Sequence, residues 1–67
     1  MVRLNSSAIS AVDYNERSLN LDITFTSGST YTYYLVPAWK YAGLIAASSA
    51  GQYFNDNIRD QHSSNRS

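Results

Sequence analysis

The chain contains no cysteine, and this absence excludes two classes of protein. Disulfide-held scaffolds and thiolate metal sites both require cysteine. The three glycines, Gly28, Gly43 and Gly51, each stand alone, so there is no glycine-rich phosphate loop. No stretch approaches the ~20 apolar residues of a membrane-spanning helix. The sequence is therefore that of a small soluble domain with no recognisable metal or nucleotide motif.

Charge and histidine are also scarce. Five basic residues balance five acidic ones, whereas proteins that bind nucleic acid usually show a basic excess or a basic stripe. The single histidine, His62, lies in a polar end segment, and catalytic triads or metal sites need several groups held on a rigid frame. We expect no enzyme activity, no metal and no cofactor.

The length of 67 residues allows one domain. A chain of this size buries only roughly 60% of its unfolded surface, so the stability margin is thin. Self-association that buries more surface would add to that margin.

An alternation of apolar and polar side chains predicts the centre of a sheet. Apolar side chains alternate with polar ones, which is the period of a strand with one buried face. The apolar members are Leu19, Leu21, Ile23 and Phe25. Residues 9–14 read as an earlier strand whose imperfect phase suggests either a bulge or a position at the edge of the sheet, and Ser27-Gly28 punctuates a hairpin. The three predicted strands are 9–14, 19–26 and 30–36.

Two helices are predicted after the strands. Pro37 suits the first turn of a helix over 38–47, with Ala38, Tyr41, Ala42 and Ile45 on one face. Gly43 weakens this helix unless something packs close to it. Ser49 and Gln52 fit a reciprocal capping box, and Phe54 and Ile58 give the second helix its apolar stripe.

The predicted fold class is α+β, a three-stranded antiparallel meander followed by two helices packed on one face (βββαα). We expect residues 1–8 to be a loose lead-in, 9–59 to be the single domain and 60–67 to be a disordered polar tail.

Tyr31 and Tyr33 lie two apart and share a face of the third strand. A two-residue turn at Ser27-Gly28 would place both rings on the wet face, where they could stack nucleic-acid bases. A three-residue loop would pair Ile23 with Tyr31, turn both rings into the core and leave Tyr34 outside. The sequence leaves both registers open, with fewer exposed apolar groups in the second.

Three further side chains have two readings each. Trp39 is either a hot spot for a protein partner or the anchor of its helix on the sheet. Lys40 and Arg59 either face a phosphate or are ordinary solvated charges. Tyr34 joins Trp39 as a candidate partner-binding residue.

The order of these features resembles the KTSC domain family, named for the C-terminus of some lysyl-tRNA synthetases. The resemblance rests on Ser27-Gly28, the central Tyr31-Thr32-Tyr33, Val36-Pro37, the run from Ala47 to Asn55, and Ile58-Arg59. It implies a stand-alone bacterial protein with an RNA-binding role through the synthetase connection. We expect a cytoplasmic location because residues 1–7 do not have the long apolar run of a signal peptide. Asp60-Gln61-His62 does not supply a basic end.

The leading interpretation is a non-catalytic module that binds RNA or single-stranded nucleic acid through Tyr31, Tyr33, Lys40 and Arg59. The alternative is a protein-interaction or homodimerisation module that uses Tyr34 and Trp39.

Overall fold

A computed structural model describes residues 1–66 as an antiparallel sheet with two helices against one of its faces. The five strands follow one another across the sheet in chain order, and the helices are inserted between the last two. The elements are β1 (Val2–Arg3), β2 (Ile9–Asn15), β3 (Asn20–Phe25), β4 (Thr30–Tyr33), α1 (Ala38–Ala46), α2 (Ala50–Asn57) and β5 (Ser64–Arg66). In the described part of the chain, no helix is long and apolar enough to cross a membrane.

The α+β class, the meander and the helix pair are confirmed, and the strand count is larger than predicted. Val2–Arg3, in the expected lead-in, pairs with β2, and Ser64–Arg66, in the expected tail, pairs with β4. Both added strands have only two or three residues, all with exposed side chains, so they lack the apolar alternation that reveals a strand in sequence. They are held by backbone hydrogen bonds at the two edges of the sheet. Ser67, the last residue of the expected tail, lies outside the described residues.

The β3–β4 register is the one that turns the tyrosines inward. Leu21 lies opposite Tyr33 and Ile23 opposite Tyr31, as a three-residue hairpin loop requires. The Phe25 N–H donates to the Ser29 carbonyl, 2.9 Å away, which closes the hairpin. Because successive side chains alternate between faces, this register places both tyrosines on the face covered by the helices.

Of the two explanations for the irregular phase of β2, the bulge is the one present: it lies between Ile9 and Ala11, where the pairing with β3 shifts by one residue. The shift lets Ile9 and Val12, which are out of phase in a regular strand, both lie in the core. The strand therefore contributes two fully buried aliphatic side chains despite its irregular sequence pattern.

The third predicted strand ends three residues earlier than expected. Leu35 adopts φ 56°, a left-handed conformation that is costly for a residue with a Cβ, and its side chain is 72% exposed. Leu35, which would share the inward face of Tyr31 and Tyr33 in a regular strand, therefore does not join the core. Val36 is fully buried in its place, and its carbonyl accepts a hydrogen bond of 2.6 Å from the Tyr14 hydroxyl.

Helix α1 begins after Pro37 as predicted, but it presents a different side to the sheet. Lys40 and Leu44 are the buried residues of the helix, whereas Ala42 and Ile45 are exposed. The prediction treated Lys40 as solvated and so assigned the inward face to the wrong residues. In the structure the ammonium finds acceptors in the segment after α2, which allows the lysine side to turn inward.

One of the two hydrogen bonds of the predicted capping box is present at the start of helix α2. The Ser49 hydroxyl accepts from the Gln52 N–H at 3.3 Å, whereas the Gln52 side chain bonds to Asp56, one turn further on, instead of reaching back. Phe54 and Ile58 are both buried, so the predicted apolar stripe packs on the sheet.

Gly43 is required where the two helices meet. The ring of Tyr53 from α2 lies against the backbone of α1 at this position, and a Cβ on Gly43 would overlap its hydroxyl oxygen and its ring carbons. The close approach explains a glycine in the middle of a helix, where alanine is otherwise favoured by ~1 kcal/mol.

We predict that Gly43→Ala destabilises the domain by about 1 kcal/mol, because overpacking costs about 1–3 kcal/mol and outweighs the gain in helix propensity. Urea unfolding followed by circular dichroism gives the free energy. In a Tyr53→Ala background the same substitution should instead stabilise, since the overlap is gone. A single Gly43→Ala variant more stable than the parent would contradict the packing described here.

Candidate functional site

The sequence-predicted residues Tyr31, Tyr33 and Arg59 meet at one cavity of about 370 Å³ between the sheet and α2. We call it the Tyr31 pocket. The bulged start of β2, the hairpin β3–β4 and the outer side of α2 form its walls. Its lining consists of Ala8, Ile9, Phe25, Tyr31, Tyr33, Gly51, Phe54, Asn55 and Arg59.

Edge-to-face aromatic contacts build the floor of the Tyr31 pocket. The ring centroid of Phe25 lies 5.9 Å from that of Tyr31 and 5.5 Å from that of Phe54. Tyr33 meets Phe54 in the same way at 5.2 Å. Such arrangements are the preferred geometry of aromatic pairs, so the floor is rigid and apolar.

The two tyrosines have different roles in this floor. Tyr33 is only 6% exposed, and burial raises the pKa of its hydroxyl above the ordinary 10.0, so it is a neutral core residue. Tyr31 is half-buried, and part of its ring borders the cavity. The prediction that both rings lie in the core is therefore correct for Tyr33. Tyr31 packs against the core and also borders the pocket.

A second arginine accompanies Arg59 at this end of the sheet. Arg66 lies directly opposite Tyr31 in the β4–β5 pairing and so projects from the same face. Its guanidinium donates to the Ser29 hydroxyl at 3.3 Å. Sequence reasoning missed Arg66 because the segment was assigned to a disordered tail. β5 has only three residues, all of them polar and exposed, so its sequence gives no strand signal that would have revealed Arg66.

Lys40 does not lie at the Tyr31 pocket with Arg59. Its position therefore corrects the prediction that Lys40 and Arg59 contribute to one nucleic-acid site. It is 8% exposed, and its ammonium donates to Gln61 Oε1 at 3.0 Å. Its Nζ also lies 2.9 Å from His62 Nε2 and 5.6 Å from the centre of the Trp39 ring. The ammonium is thus enclosed by neutral acceptors and an aromatic face, and it is not presented to a phosphate.

His62 is held in place and does not lie in a disordered tail. Its Nδ1 is 3.0 Å from the Tyr34 carbonyl oxygen, which can only accept, so Nδ1 carries the proton. Nε2 is then free to accept from Lys40. Burial, followed by the nearby Lys40 charge, lowers the pKa of His62 below the ordinary 6.5, and the bond to Tyr34 opposes this only in part. We call this set of bonds the Lys40–His62 latch.

The two residues proposed for a protein partner have different environments. Trp39 is 64% exposed, so the reading of Trp39 as the anchor of α1 on the sheet is wrong. Tyr34 is half-buried, and its backbone holds the following segment, since its N–H donates to the Ser63 carbonyl at 3.0 Å. Of these two residues, Trp39 is the one that presents a large apolar side chain to solvent.

A shallower groove of about 860 Å³ runs past the β2–β3 turn. Tyr14 and Tyr41 stack there, with ring centroids 4.7 Å apart, and Asp13, Glu16 and Arg17 border it. Across residues 1–66, no three histidine or acidic side chains come together in a way that would hold a metal ion. The groove is therefore bordered by charges of both signs.

The latch predicts a pH dependence of stability. Because the pKa of His62 is lower in the folded state, the unfolded chain takes up a proton first as pH falls. The stabilisation is complete above pH 6.5, the ordinary value, and is lost as pH falls through the lowered pKa. We expect the free energy of unfolding to decrease as the pH falls from about 6.5 towards about 5.

Chemical denaturation at several pH values checks this prediction. His62→Gln keeps a neutral acceptor for Lys40 and should flatten the profile in that range, since the chain has one histidine. Ser63→Ala, an exposed neighbour, is the matched control and should keep the parent's slope. A His62→Gln profile as steep as the parent's would refute the role of the latch.

Comparison with known proteins places the chain among small relatives and one longer one. A protein of Tsukamurella paurometabola is 39% identical over 59 residues, which are 88% of each chain. A protein of Stutzerimonas stutzeri is 34% identical over 61 residues, covering 91% of this chain and 86% of the relative. A lysine–tRNA ligase of Nostoc punctiforme is 36% identical over 59 residues, which are 88% of this chain but 10% of the ligase.

The fold has a solved counterpart. The crystal structure of a KTSC domain protein from Yersinia pestis superimposes with a TM-score of 0.94 at 26% identity, covering 97% of this chain and 92% of the other. The family model for the KTSC domain matches residues 5–62, from the segment after β1 to the latch histidine. The chain therefore belongs to the KTSC domain family.

Proposed function

We propose that this domain is a non-catalytic module that binds single-stranded nucleic acid, RNA in the first place, by taking an unstacked base into the Tyr31 pocket. The observation that carries the proposal is the meeting of a partly exposed tyrosine ring, an aromatic floor and an arginine in one cavity. Aromatic rings stack bases irrespective of sequence, at about 1–3 kcal/mol per base.

Charge supports the same site. Arg59 borders the pocket, and Arg66 projects from the same face of the sheet beside Tyr31. Two guanidiniums are suited to the phosphates on either side of a bound base, because each offers a planar set of donors. With a net charge of zero, the domain would depend on stacking more than on counterion release.

The occurrence of a related segment in a lysine–tRNA ligase also supports RNA as the ligand. The chain matches 10% of that ligase, so the ligase activity itself is not part of the proposal. A module attached to an RNA-handling enzyme would usefully contribute a weak, sequence-tolerant contact to RNA. We propose the cytoplasm as its location on the same grounds, since that compartment contains the RNA.

The test is a titration with a single-stranded RNA octamer at low salt, followed by fluorescence anisotropy and by amide chemical shifts. We expect Tyr31→Phe to keep binding, and Tyr31→Thr, which preserves strand propensity but removes the ring, to weaken it by about 5- to 150-fold. The plot of log affinity against log salt should have a slope of about −1.4, for two phosphate contacts to a single strand.

Arg59→Gln should reduce that slope by about 0.7, one phosphate contact. Arg17→Gln, which removes an exposed arginine at the β2–β3 turn, is the matched control and should leave both affinity and slope unchanged. The proposal fails if the octamer causes no shifts at the Tyr31 pocket at high micromolar concentration. Equal losses in the Arg17 and Arg59 variants would also refute it.

A further inference from the structure

The exposed side of α1 carries no charge. Its five exposed residues are Ala38, Trp39, Ala42, Ile45 and Ala46, and at about 100° per residue they fall within one arc of about 120°. We call this surface the α1 face. A helix on the surface of a monomer normally turns charged and polar residues outward, whereas this one turns alanines, an isoleucine and a tryptophan outward.

The only charged residue of α1 is withdrawn from this surface. Lys40 is buried, and its ammonium is bonded to Gln61 and His62 on the other side of the helix. Leu35, just before the helix, adopts a left-handed backbone conformation, and its side chain is 72% exposed. Neither the conformation nor the exposure stabilises the folded state for a leucine. The latch and the strained residue together leave the start of α1 wholly apolar.

We propose that the α1 face is the docking surface for a second copy of this chain. The surface is self-complementary in shape, because Ala38, Ala42 and Ala46 form a low ridge along the helix and Trp39 stands beside it. When two copies are related by a two-fold axis that passes near Ala42, Trp39 of each copy covers the alanine ridge of the other copy. The same contact is therefore made twice. Small residues at the crossing point let two helices approach closely.

Charge favours a second copy over a partner of another kind. An uncharged surface offers no complement to an acidic or basic partner, and the net charge of zero means that two copies do not repel each other. Tryptophan is also the residue most often found at the energetic centre of protein interfaces. This proposal uses a surface separate from the Tyr31 pocket and does not depend on the binding of nucleic acid.

The small area of the α1 face predicts a weak dimer. Trp39, 64% exposed, leaves on the order of 150 Å² outside, and the whole α1 face with Leu35 comes to roughly 400 Å². Two copies would bury about 800 Å² in total, below the ~1,200 Å² of stable complexes. Association should therefore depend on concentration and reach half completion at sub-millimolar protein.

Sedimentation equilibrium and Trp39 fluorescence, measured without nucleic acid from about 10 μM to about 1 mM, test the proposal. The mass should rise from 7.5 kDa towards twice that value. The chain has one tryptophan, so its emission reports on the α1 face directly. We expect the emission to shift to shorter wavelength, and quenching by acrylamide to fall, over the same concentration range.

Ala42→Glu puts a charge at the centre of the α1 face while keeping a good helix former, and should abolish both changes. Ser27→Glu adds the same charge at the exposed hairpin turn and should leave both intact. Circular dichroism confirms that each variant is folded, and Trp39→Ala provides a second disruption should Ala42→Glu not fold. A parent that stays monomeric at 1 mM, or a dimer unaffected by the α1 variants, would overturn the proposal.

Discussion

The register of the β3–β4 hairpin is the constraint on which the rest of the structure depends. The loop between Phe25 and Ser29 sets Ile23 opposite Tyr31. A slip of one residue would exchange the two faces of β4 and take Tyr33 out of the core. Gly28 makes this loop possible with φ 97°, a conformation that residues with a Cβ rarely adopt. The core, the pocket floor and the site of β5 all follow from this pairing.

Sequence reasoning succeeded where the physical signal is local and periodic. The alternation of Leu21 and Ile23 with polar residues predicted the central strand, and the phase error before Val12 predicted the bulge. Pro37 and Ser49 marked the two helix starts. These features depend on side chains that are close together in the chain, so the local sequence pattern is enough to predict them.

Sequence reasoning failed where the position of a residue depends on a contact with a residue that is distant in the chain. The inward face of α1 depends on Lys40 finding Gln61 and His62, which lie 21 and 22 residues away. The edge strands β1 and β5 depend on free backbone groups of their neighbours and show no side-chain period. The site was likewise half predicted: Tyr31 and Arg59 meet, Lys40 is withdrawn, and Arg66 appears only once β5 is known to be a strand.

Both edges of the sheet are occupied by the first and last strands of the described chain, and both are very short. β1 protects the backbone of β2 and β5 protects that of β4, each with two or three residues whose exposed side chains add nothing to the core. Such strands act as covers, since an uncovered edge is a template for pairing with other chains. A version trimmed to its apolar core would keep its packing and yet tend to polymerise edge to edge. The polar ends thus contribute solubility that a ranking of residues by burial would overlook.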